Sequence, residues 1–275
     1  MEKICVHNFL NKCETGSLPP GIMDFLRGTI ALFHYSKKYG YKLYINRSIH
    51  PLFKYFENCE YYIDTYNSDA TFELLSQASP TFVDHILERL FQSGFNFSVL
   101  TNCLVESKIS LTDECKEFLK KILTPTKTIT DKLDSVYKIL NIKEKNYYAV
   151  HIRFGDDFLH EHTKINENII NVIDDTINKN IPTDKPIVLV ADSKSMANEL
   201  VKTNSKMIYW DNKKIHTGYL VNYDEKALTD TLIDILILSK SCKIFTFNVN
   251  TKFFTTFSPL IAKIYDIENL LFRFI

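Results

Sequence analysis

The chain has 275 residues, of which 45% are apolar, and its 33 basic and 33 acidic side chains cancel. This length suits two compact domains, and the apolar content is enough to build their cores, which excludes a disordered chain. The balanced charge gives no broad positive field, so it argues against a nucleic acid polymer as a partner. An anionic ligand would have to be bound by a few placed groups.

No stretch of the chain carries a recognisable targeting or membrane signal. The N-terminus lacks the basic-then-apolar pattern of a signal peptide, and no apolar run approaches the roughly 18 residues of a membrane span. The six cysteines are scattered without a CxxC pair, so a zinc site is poorly supported. We therefore expect a soluble, cytoplasmic protein with mostly reduced cysteines, with a Cys103–Cys115 disulfide as the alternative.

The first half of the chain alternates predicted strands and helices. Predicted strands lie at residues 4–9, 41–45 and 95–102, and residues 58–69 are predicted to form a short strand and a loop. Predicted helices lie at residues 22–39, 72–91 with a break at Pro80, 112–123 and 129–140. The turn at Gly21 opens a helix whose free N–H groups can face an anion, although an ordinary strand–helix connection is the simpler explanation.

The second half continues the same alternation. Predicted strands lie at residues 147–152, 186–191, 206–210 and 242–247. Predicted helices lie at residues 165–178, 194–202, 228–241 and 252–264. This pattern predicts an α/β protein with parallel sheets, in which two Rossmann-like, doubly wound domains face a cleft. The helix at 129–140 is the predicted junction, which gives domains of residues 1–130 and 131–275.

The stretch YYAVHIRFGDD, at 147–157, is the most informative in the chain. Its apolar run reads as a buried parallel strand, and ligands of open α/β sheets bind beyond the carboxyl ends of such strands. Arg153 there can bind a phosphate through two parallel hydrogen bonds, Gly155 permits a sharp turn, and Asp156 and Asp157 add carboxylates. The alternative is a salt-bridged strand end with a turn glycine.

Two further strand ends carry polar residues, and parallel strands bring their carboxyl ends to one edge. Asp192 and Ser193 follow one strand, and the segment Asn248–Thr251 follows another. Asn248, Asn250 and Thr251 precede a helix and can bind a phosphate, although Thr251 can equally be its N-cap. Asp234 lies in an apolar stretch, where its carboxylate needs either an internal partner or an N–H donor of a ligand. Convergence of these groups predicts a nucleotide site.

The segment HIRFGD, at 151–156, resembles the H-x-R-x-G-D motif of the fucosyltransferase superfamily. That superfamily includes α1,2- and α1,6-fucosyltransferases, the bacterial nodulation enzymes and protein O-fucosyltransferases. The resemblance extends along most of the chain, to residues 20–45, 123–133, 188–200 and 231–254. Four motifs in the same order make it more specific than the single motif.

The resemblance implies a GT-B-like arrangement, with an N-terminal acceptor-side domain and a C-terminal domain that binds the nucleotide sugar. It implies an inverting transfer of fucose from GDP-fucose, as donor substrate, to a hydroxyl of a glycan-type acceptor, without a cofactor or divalent metal. Carried across, Arg153 and Asn248–Thr251 would contact the phosphates, and His151 with Asp234 would contact the guanine. Asp192 would lie near the nucleoside. The turn that begins at Gly21 would close over the sugar.

The chain departs from the family pattern at three places. The turn at Gly21–Asp24 has fewer glycines than most relatives. α1,2-Fucosyltransferases usually have a second arginine where this chain has Phe154, which argues against that linkage. The last loop reads FNVNT instead of a serine-rich sequence, so Thr256 or Ser258 is an alternative member of it. Asp24, Asp156 and Asp157 are candidate general bases.

Two other functions fit the same residues. One is a glycosyltransferase that uses another nucleotide sugar, and the other is a protein that binds a nucleotide sugar or glycan without turning it over. The sequence indicates neither the acceptor nor the oligomeric state.

Overall fold

The computed structural model describes residues 2–10, 21–67, 70–74, 80–101, 111–155, 167–213, 217, 224–249 and 255–273. The chain forms two compact units. The first comprises Met1–Thr126 with His216–Tyr223, and the second comprises Lys127–Ile215 with Asp224–Ile275. The units therefore divide four residues before the boundary that we predicted, and the first unit includes a short segment from the second half of the chain.

The first unit contains a five-stranded parallel sheet with the order β3-β2-β1-β5-β4. Its strands are β1 (Lys3–Asn8), β2 (Tyr41–Asn46), β3 (Tyr62–Ile63), β4 (Ala70–Leu74) and β5 (Phe97–Thr101). Its helices are α1 (Ile22–Tyr39), α2 (Pro80–Ser93) and α3 (Asp113–Ile122), with a 3-10 turn at Pro51–Tyr55. Helix α1 ends as predicted, because Gly40 adopts the left-handed conformation with φ of 70°.

The predicted helix over residues 72–91 is wrong at its start. Residues Ala70–Leu74 form β4, which pairs with β5, and the helix begins only at Pro80. Thr71 and Glu73 are exposed whereas Phe72 is half-buried, which is the two-residue period of a strand. Proline is favoured in the first turn of a helix, where its missing N–H has no partner to lose, so Pro80 starts the helix instead of breaking it.

The second unit also contains a five-stranded parallel sheet, with the order β10-β9-β6-β7-β8. Its strands are β6 (Tyr148–Arg153), β7 (Ile187–Ala191), β8 (Met207–Tyr209), β9 (Lys243–Asn248) and β10 (Asn269–Arg273). Its helices are α4 (Lys127–Leu140), α5 (Glu167–Asn180), α6 (Lys194–Thr203), α7 (Glu225–Ser239) and α8 (Phe257–Ile264). The α/β class with two parallel sheets is thus confirmed. Thr255 and Thr256, which we predicted to be helical, lie outside α8.

Successive side chains of the central strand β6 lie on opposite faces of the second sheet. Val150, Ile152 and Phe154 point into a cluster with side chains of α5, α6 and β7. His151 and Arg153 alternate with them and therefore lie on the other face of the sheet.

Among the residues that the structure describes, no helix is both long and apolar enough to span a membrane. The four described cysteines, Cys5, Cys59, Cys115 and Cys242, are free thiols. The alternative of a Cys103–Cys115 disulfide is therefore wrong for this structure. Burial raises the pKa of the Cys115 thiol to about 12, which keeps it protonated and unreactive.

Two histidines are buried in the first unit. The ring of His7 stacks on Phe25 at 4.2 Å, and its Nε2 donates to the carbonyl of Thr101 at 2.8 Å. His50 accepts from the backbone N–H of Leu52 at Nδ1 and donates from Nε2 to the carbonyl of Thr217. Burial lowers the pKa of both rings from 6.5 to about 4, so the folded state holds them neutral.

We expect the first unit to lose stability between pH 6.5 and pH 4. In this window the unfolded state binds protons that the folded state excludes, which removes at most about 3 kcal/mol per histidine. Hydrogen exchange of the β1 and β5 amides as a function of pH checks this. His50→Gln should make the pH dependence shallower, whereas His85→Gln, at an exposed position of α2, should not. Equal protection at pH 7 and pH 4.5 would contradict the prediction.

Asp230 of α7 ties three segments of the second unit together. Its side chain is fully buried, and its carboxylate lies 2.6 Å from Nζ of Lys132 and 2.9 Å from Nζ of Lys226. The backbone N–H of Lys213 donates to the same group. Burial alone would raise the pKa of Asp230, but these hydrogen bonds outweigh burial and lower it.

Asp230→Asn is expected to reduce the free energy of unfolding of this unit by about 2 kcal/mol at neutral pH. Because the pKa is lowered on folding, the contribution is present above the ordinary carboxyl range and is lost in acid, where variant and wild type should converge. The only tryptophan, Trp210, lies 5.7 Å from Nζ of Lys132, so its fluorescence during urea unfolding reports on this unit. Asp131→Asn, which removes the exposed partner of Lys127, is the control and should have almost no effect.

Candidate functional site

The strand order of the second sheet reverses between β6 and β9. From β6 the chain runs to β7 and β8 on one side, and then returns to β9 and β10 on the other. Ligands of open α/β sheets bind at such a switch point, outside the carboxyl ends of the strands. Arg153 and Asn248, which are register partners at the ends of β6 and β9, mark this position.

Arg153 is anchored to the neighbouring strand by Asp192, the residue that follows β7. Nη1 of Arg153 donates to Oδ2 of Asp192 at 2.7 Å. The arginine side chain remains 28% exposed, whereas the aspartate side chain is 9% exposed. The guanidinium is therefore fixed at its inner side by a buried carboxylate and still reaches solvent.

Asp192 also binds the backbone at the end of β6. Its Oδ1 accepts from the N–H of Phe154 at 2.9 Å, and its Oδ2 accepts from the N–H of Gly155 at 3.0 Å. Burial raises the pKa of Asp192, and the charge of Arg153 and these two N–H groups oppose the rise. Asp192, which we predicted near a nucleoside, thus contacts three consecutive residues, Arg153 to Gly155, at the end of β6.

Gly155 sits where a side chain would be strained. Its φ is +123°, a value that glycine adopts readily and other residues rarely. The adjacent Phe154 side chain is buried in the core, with 1% exposed. The apolar residue at the position of the second family arginine is thus part of the packing.

Ser193 and Asn248 complete the described part of this edge. Ser193 is 1% exposed, and its Oγ accepts from the N–H of Met196, so it acts as the N-cap of α6. Asn248 is 3% exposed and belongs to β9 itself. Of the other predicted site residues, Asp156, Asn250 and Thr251 lie outside the described residues.

His151 precedes Arg153 by two residues on β6, so both side chains lie on the same face of the sheet. It is 4% exposed, its Nδ1 lies 2.7 Å from Oγ of Ser258, and its ring stacks on Phe257. Ser258 is fully buried, so it supports the histidine and is not an exposed residue of a phosphate loop. Thr256 directly precedes α8 and makes no side-chain cap.

Asp234 has the internal partner that its burial requires. Its Oδ1 accepts from Nδ2 of Asn212 at 2.9 Å, and both side chains are buried. The hydroxyl of Tyr209 lies 3.4 Å from Oδ1 of Asn212. The sequence indicated that Asp234 needs a partner, but nothing in it pointed to Asn212, which lies 22 residues earlier.

Gly21 and Asp24 belong to the first unit. Gly21 is the N-cap of α1 with extended backbone, at φ −80° and ψ −172°, so its conformation does not require glycine. Asp24 pairs with Arg27 at 3.0 Å within the first turn. The first N–H of the helix, that of Ile22, donates to Oγ1 of Thr217, which lies 195 residues later. No sequence pattern could have identified Thr217.

Within the described ranges, no group of three or more histidine, cysteine or acidic side chains could hold a metal ion. The structure thus brings Arg153, Gly155 and Asp192 into one contact, with Asn248 as the register partner of Arg153. His151 and Asp234 each belong to a separate hydrogen-bonded group.

No protein-family profile matches the chain, and no curated protein matches its sequence. Solved structures do. The fucosyltransferase NodZ from Bradyrhizobium is 14% identical, with a TM-score of 0.58 over 96% of this chain and 92% of NodZ. NodZ has also been solved as an α-1,6-fucosyltransferase soaked with GDP-fucose.

Two other fucosyltransferases align over nearly the whole chain. FUT1 of Arabidopsis thaliana, an arginine-to-lysine variant in complex with GDP, is 11% identical, with a TM-score of 0.58 over 98% of this chain and 70% of FUT1. POFUT1 in complex with GDP-fucose is 9% identical, with a TM-score of 0.55 over 98% of this chain and 97% of POFUT1. At these identities the similarity shows the fold. The chain has the fold of GT-B-like fucosyltransferases, as the resemblance in its sequence predicted.

Proposed function

We propose that this chain is a glycosyltransferase that moves fucose from GDP-fucose to a hydroxyl of a glycan or other acceptor, with inversion and without a metal ion. Two solved structures with its fold were determined with GDP-fucose. The second unit would bind the donor and the first unit the acceptor side. The motif H-x-R-x-G-D, at 151–156, carries the family's residues onto this chain.

The observation that carries the proposal is the placement of Arg153 at the switch point of the second sheet. A guanidinium has five N–H donors in a rigid fork, which suits a phosphate group. When an acceptor hydroxyl attacks the anomeric carbon, the diphosphate leaves with negative charge. A cation that Asp192 already holds in place can stabilise that charge without reorganising.

The nucleoside end would be read by His151 and Asp234. A carboxylate accepts the N–H groups of guanine, and a neutral imidazole nitrogen without a proton does the same. The acceptor hydroxyl needs a proton acceptor within hydrogen-bond reach, and Asp24 and Asp156 are the proposed general bases. Asn250 and Thr251 would add contacts to the phosphates.

The Arg153–Asp192 pair also favours a second candidate function. Asp192 offsets part of the charge that a leaving diphosphate would need, which suits a protein that binds a nucleotide sugar without turning it over. Release of labelled fucose from GDP-fucose separates the two, because a binding protein gives a heat of binding and no release. Whether the donor carries another nucleotide is tested by comparing how far GDP and UDP each raise the unfolding temperature.

We expect GDP to raise the unfolding temperature of the protein, by roughly 5 °C or more at a hundredfold excess over its Kd, and UDP to raise it far less. Arg153→Ala should weaken GDP binding by about tenfold to a hundredfold, because a hydrogen bond to a charged group contributes about 1.5–3 kcal/mol. Arg153→Lys should have a GDP affinity between those of the wild type and Arg153→Ala, since lysine keeps the charge but lacks the planar set of N–H donors of a guanidinium. Lys179→Ala, an exposed cation of α5, is the control. An Arg153→Ala protein with wild-type GDP affinity would falsify the phosphate role.

Asp192→Asn tests whether the anchor matters. The amide keeps one acceptor oxygen, but its NH₂ group must face a backbone N–H or the guanidinium, so one donor loses its partner. We expect GDP affinity to fall by about tenfold and the free energy of unfolding to fall by about 1–3 kcal/mol. Asp175→Asn, at an exposed position of α5, should change neither. Tighter GDP binding by Asp192→Asn would mean that the carboxylate masks Arg153 instead of positioning it.

A further inference from the structure

A chain of four hydrogen-bonded side chains runs beneath the switch point of the second sheet. Nδ1 of His151 lies 2.7 Å from Oγ of Ser258, which lies 2.8 Å from Oγ1 of Thr246. The hydroxyl of Thr246 donates to Oδ1 of Asn269 on β10, at 2.7 Å. Ser258 and Thr246 are fully buried, so water does not replace these partners.

The last acceptor in this hydrogen-bonded series, the amide oxygen of Asn269, determines where each proton in the series lies. A hydroxyl has one hydrogen, and Thr246 uses its hydrogen on the carbonyl oxygen of Asn269. Thr246 can then only accept from Ser258, and Ser258 in turn can only accept from His151. His151 must therefore carry its proton on Nδ1, and in the neutral ring Nε2 is an acceptor.

Packing holds the same ring in one plane. Phe257 stacks on His151 with 5.3 Å between centroids and 28° between the rings. Phe257 and Ser258 are the first two residues of α8, so one helix end supplies both the stacking ring and the hydroxyl. A ring with a fixed plane and a fixed Nδ1 proton presents Nε2 in one direction only.

We propose that Ser258, Thr246 and Asn269 are positioning residues that hold His151 as the Nδ1–H tautomer, so that Nε2 accepts an N–H group of a nucleobase. The ligand part rests on the proposed function. Guanine presents adjacent N–H donors at N1 and at its 2-amino group, whereas adenine presents N–H donors only at its 6-amino group, beside N1, an acceptor that would face the Nε2 lone pair unfavourably. The Nδ1–H tautomer of His151 therefore favours the N1 edge of guanine over that of adenine.

The tautomer is tested first, without any ligand. Long-range proton–nitrogen spectra of imidazole-labelled protein identify the protonated nitrogen, and the His151→Gln spectrum assigns the signal among the eight histidines. We expect Nδ1–H in the wild type. Thr246→Val frees the Ser258 hydroxyl to donate to Nδ1, so it should shift the ring toward Nε2–H. Asn269→Asp keeps an end group that only accepts, so it should preserve Nδ1–H.

An Nε2–H tautomer in the wild type would overturn the proposal. The amide NH₂ of Asn269 would then donate to Thr246, and each hydrogen bond between Asn269 and His151 would have the opposite direction. Loss of Nδ1–H in Asn269→Asp would overturn it as well. Ser241→Ala removes another fully buried hydroxyl of the same unit, which donates to the carbonyl of Leu238. It controls for a general loss of packing and should leave the His151 signal unchanged.

Nucleotide binding is the second readout. Thr246→Val and Ser258→Ala should weaken GDP binding by about tenfold and narrow the ratio of GDP to ADP affinity, because a mobile proton lets His151 suit either base edge. Ser241→Ala should keep both values. If His151 carries its proton on Nδ1 but the protein binds no nucleotide, the proposed function is wrong, whereas the positioning of His151 by Ser258, Thr246 and Asn269 is confirmed. If Thr246→Val and Ser258→Ala both kept the wild-type ratio of GDP to ADP affinity, the proposed preference for guanine would be wrong.

Discussion

The buried carboxylate of Asp192 is the interaction on which the candidate site depends. An isolated carboxylate in the interior is strongly unfavourable, and Asp192 is compensated by a guanidinium and two backbone N–H groups. Those N–H groups follow the end of β6, where the sheet no longer supplies partners. One carboxylate thus satisfies the strand end, stabilises the positive-φ turn at Gly155 and restrains Arg153.

The period of two along β6 explains how one strand serves both the core and the site. Val150, Ile152 and Phe154 are 0–1% exposed within the apolar cluster. The two residues that alternate with them, His151 and Arg153, therefore lie on the opposite face of the sheet. A second arginine in place of Phe154 would enter the core and leave a buried charge. The presence of one arginine instead of two in the 151–156 motif is therefore consistent with the packing of Phe154.

Local patterns predicted most of this fold, whereas long-range partners were not predictable. Apolar spacing and Gly40 gave α1, and the short apolar runs gave the strands of the second sheet. β4 was missed because five residues with weak alternation resemble the helix that follows. The unfavourable burial of a charge predicted that Asp234 needs a partner, but it did not identify Asn212 as that partner. Ser258 lies 107 residues from His151, and only the folded sheet brings them together.

The polar groups of the second unit divide into two chemical kinds. Arg153 is a donor, and Asp192 uses its carboxylate to aim it. His151 and Asp234 are both held by a buried partner: Nδ1 of His151 by the hydroxyl of Ser258, and Oδ1 of Asp234 by the amide of Asn212. Each kind is held by buried hydrogen bonds, so neither can adapt its protons to a different ligand without losing a partner. In the function proposed above, this arrangement suits a ligand that is anionic at one end and presents adjacent N–H donors at the other, as guanosine diphosphate does.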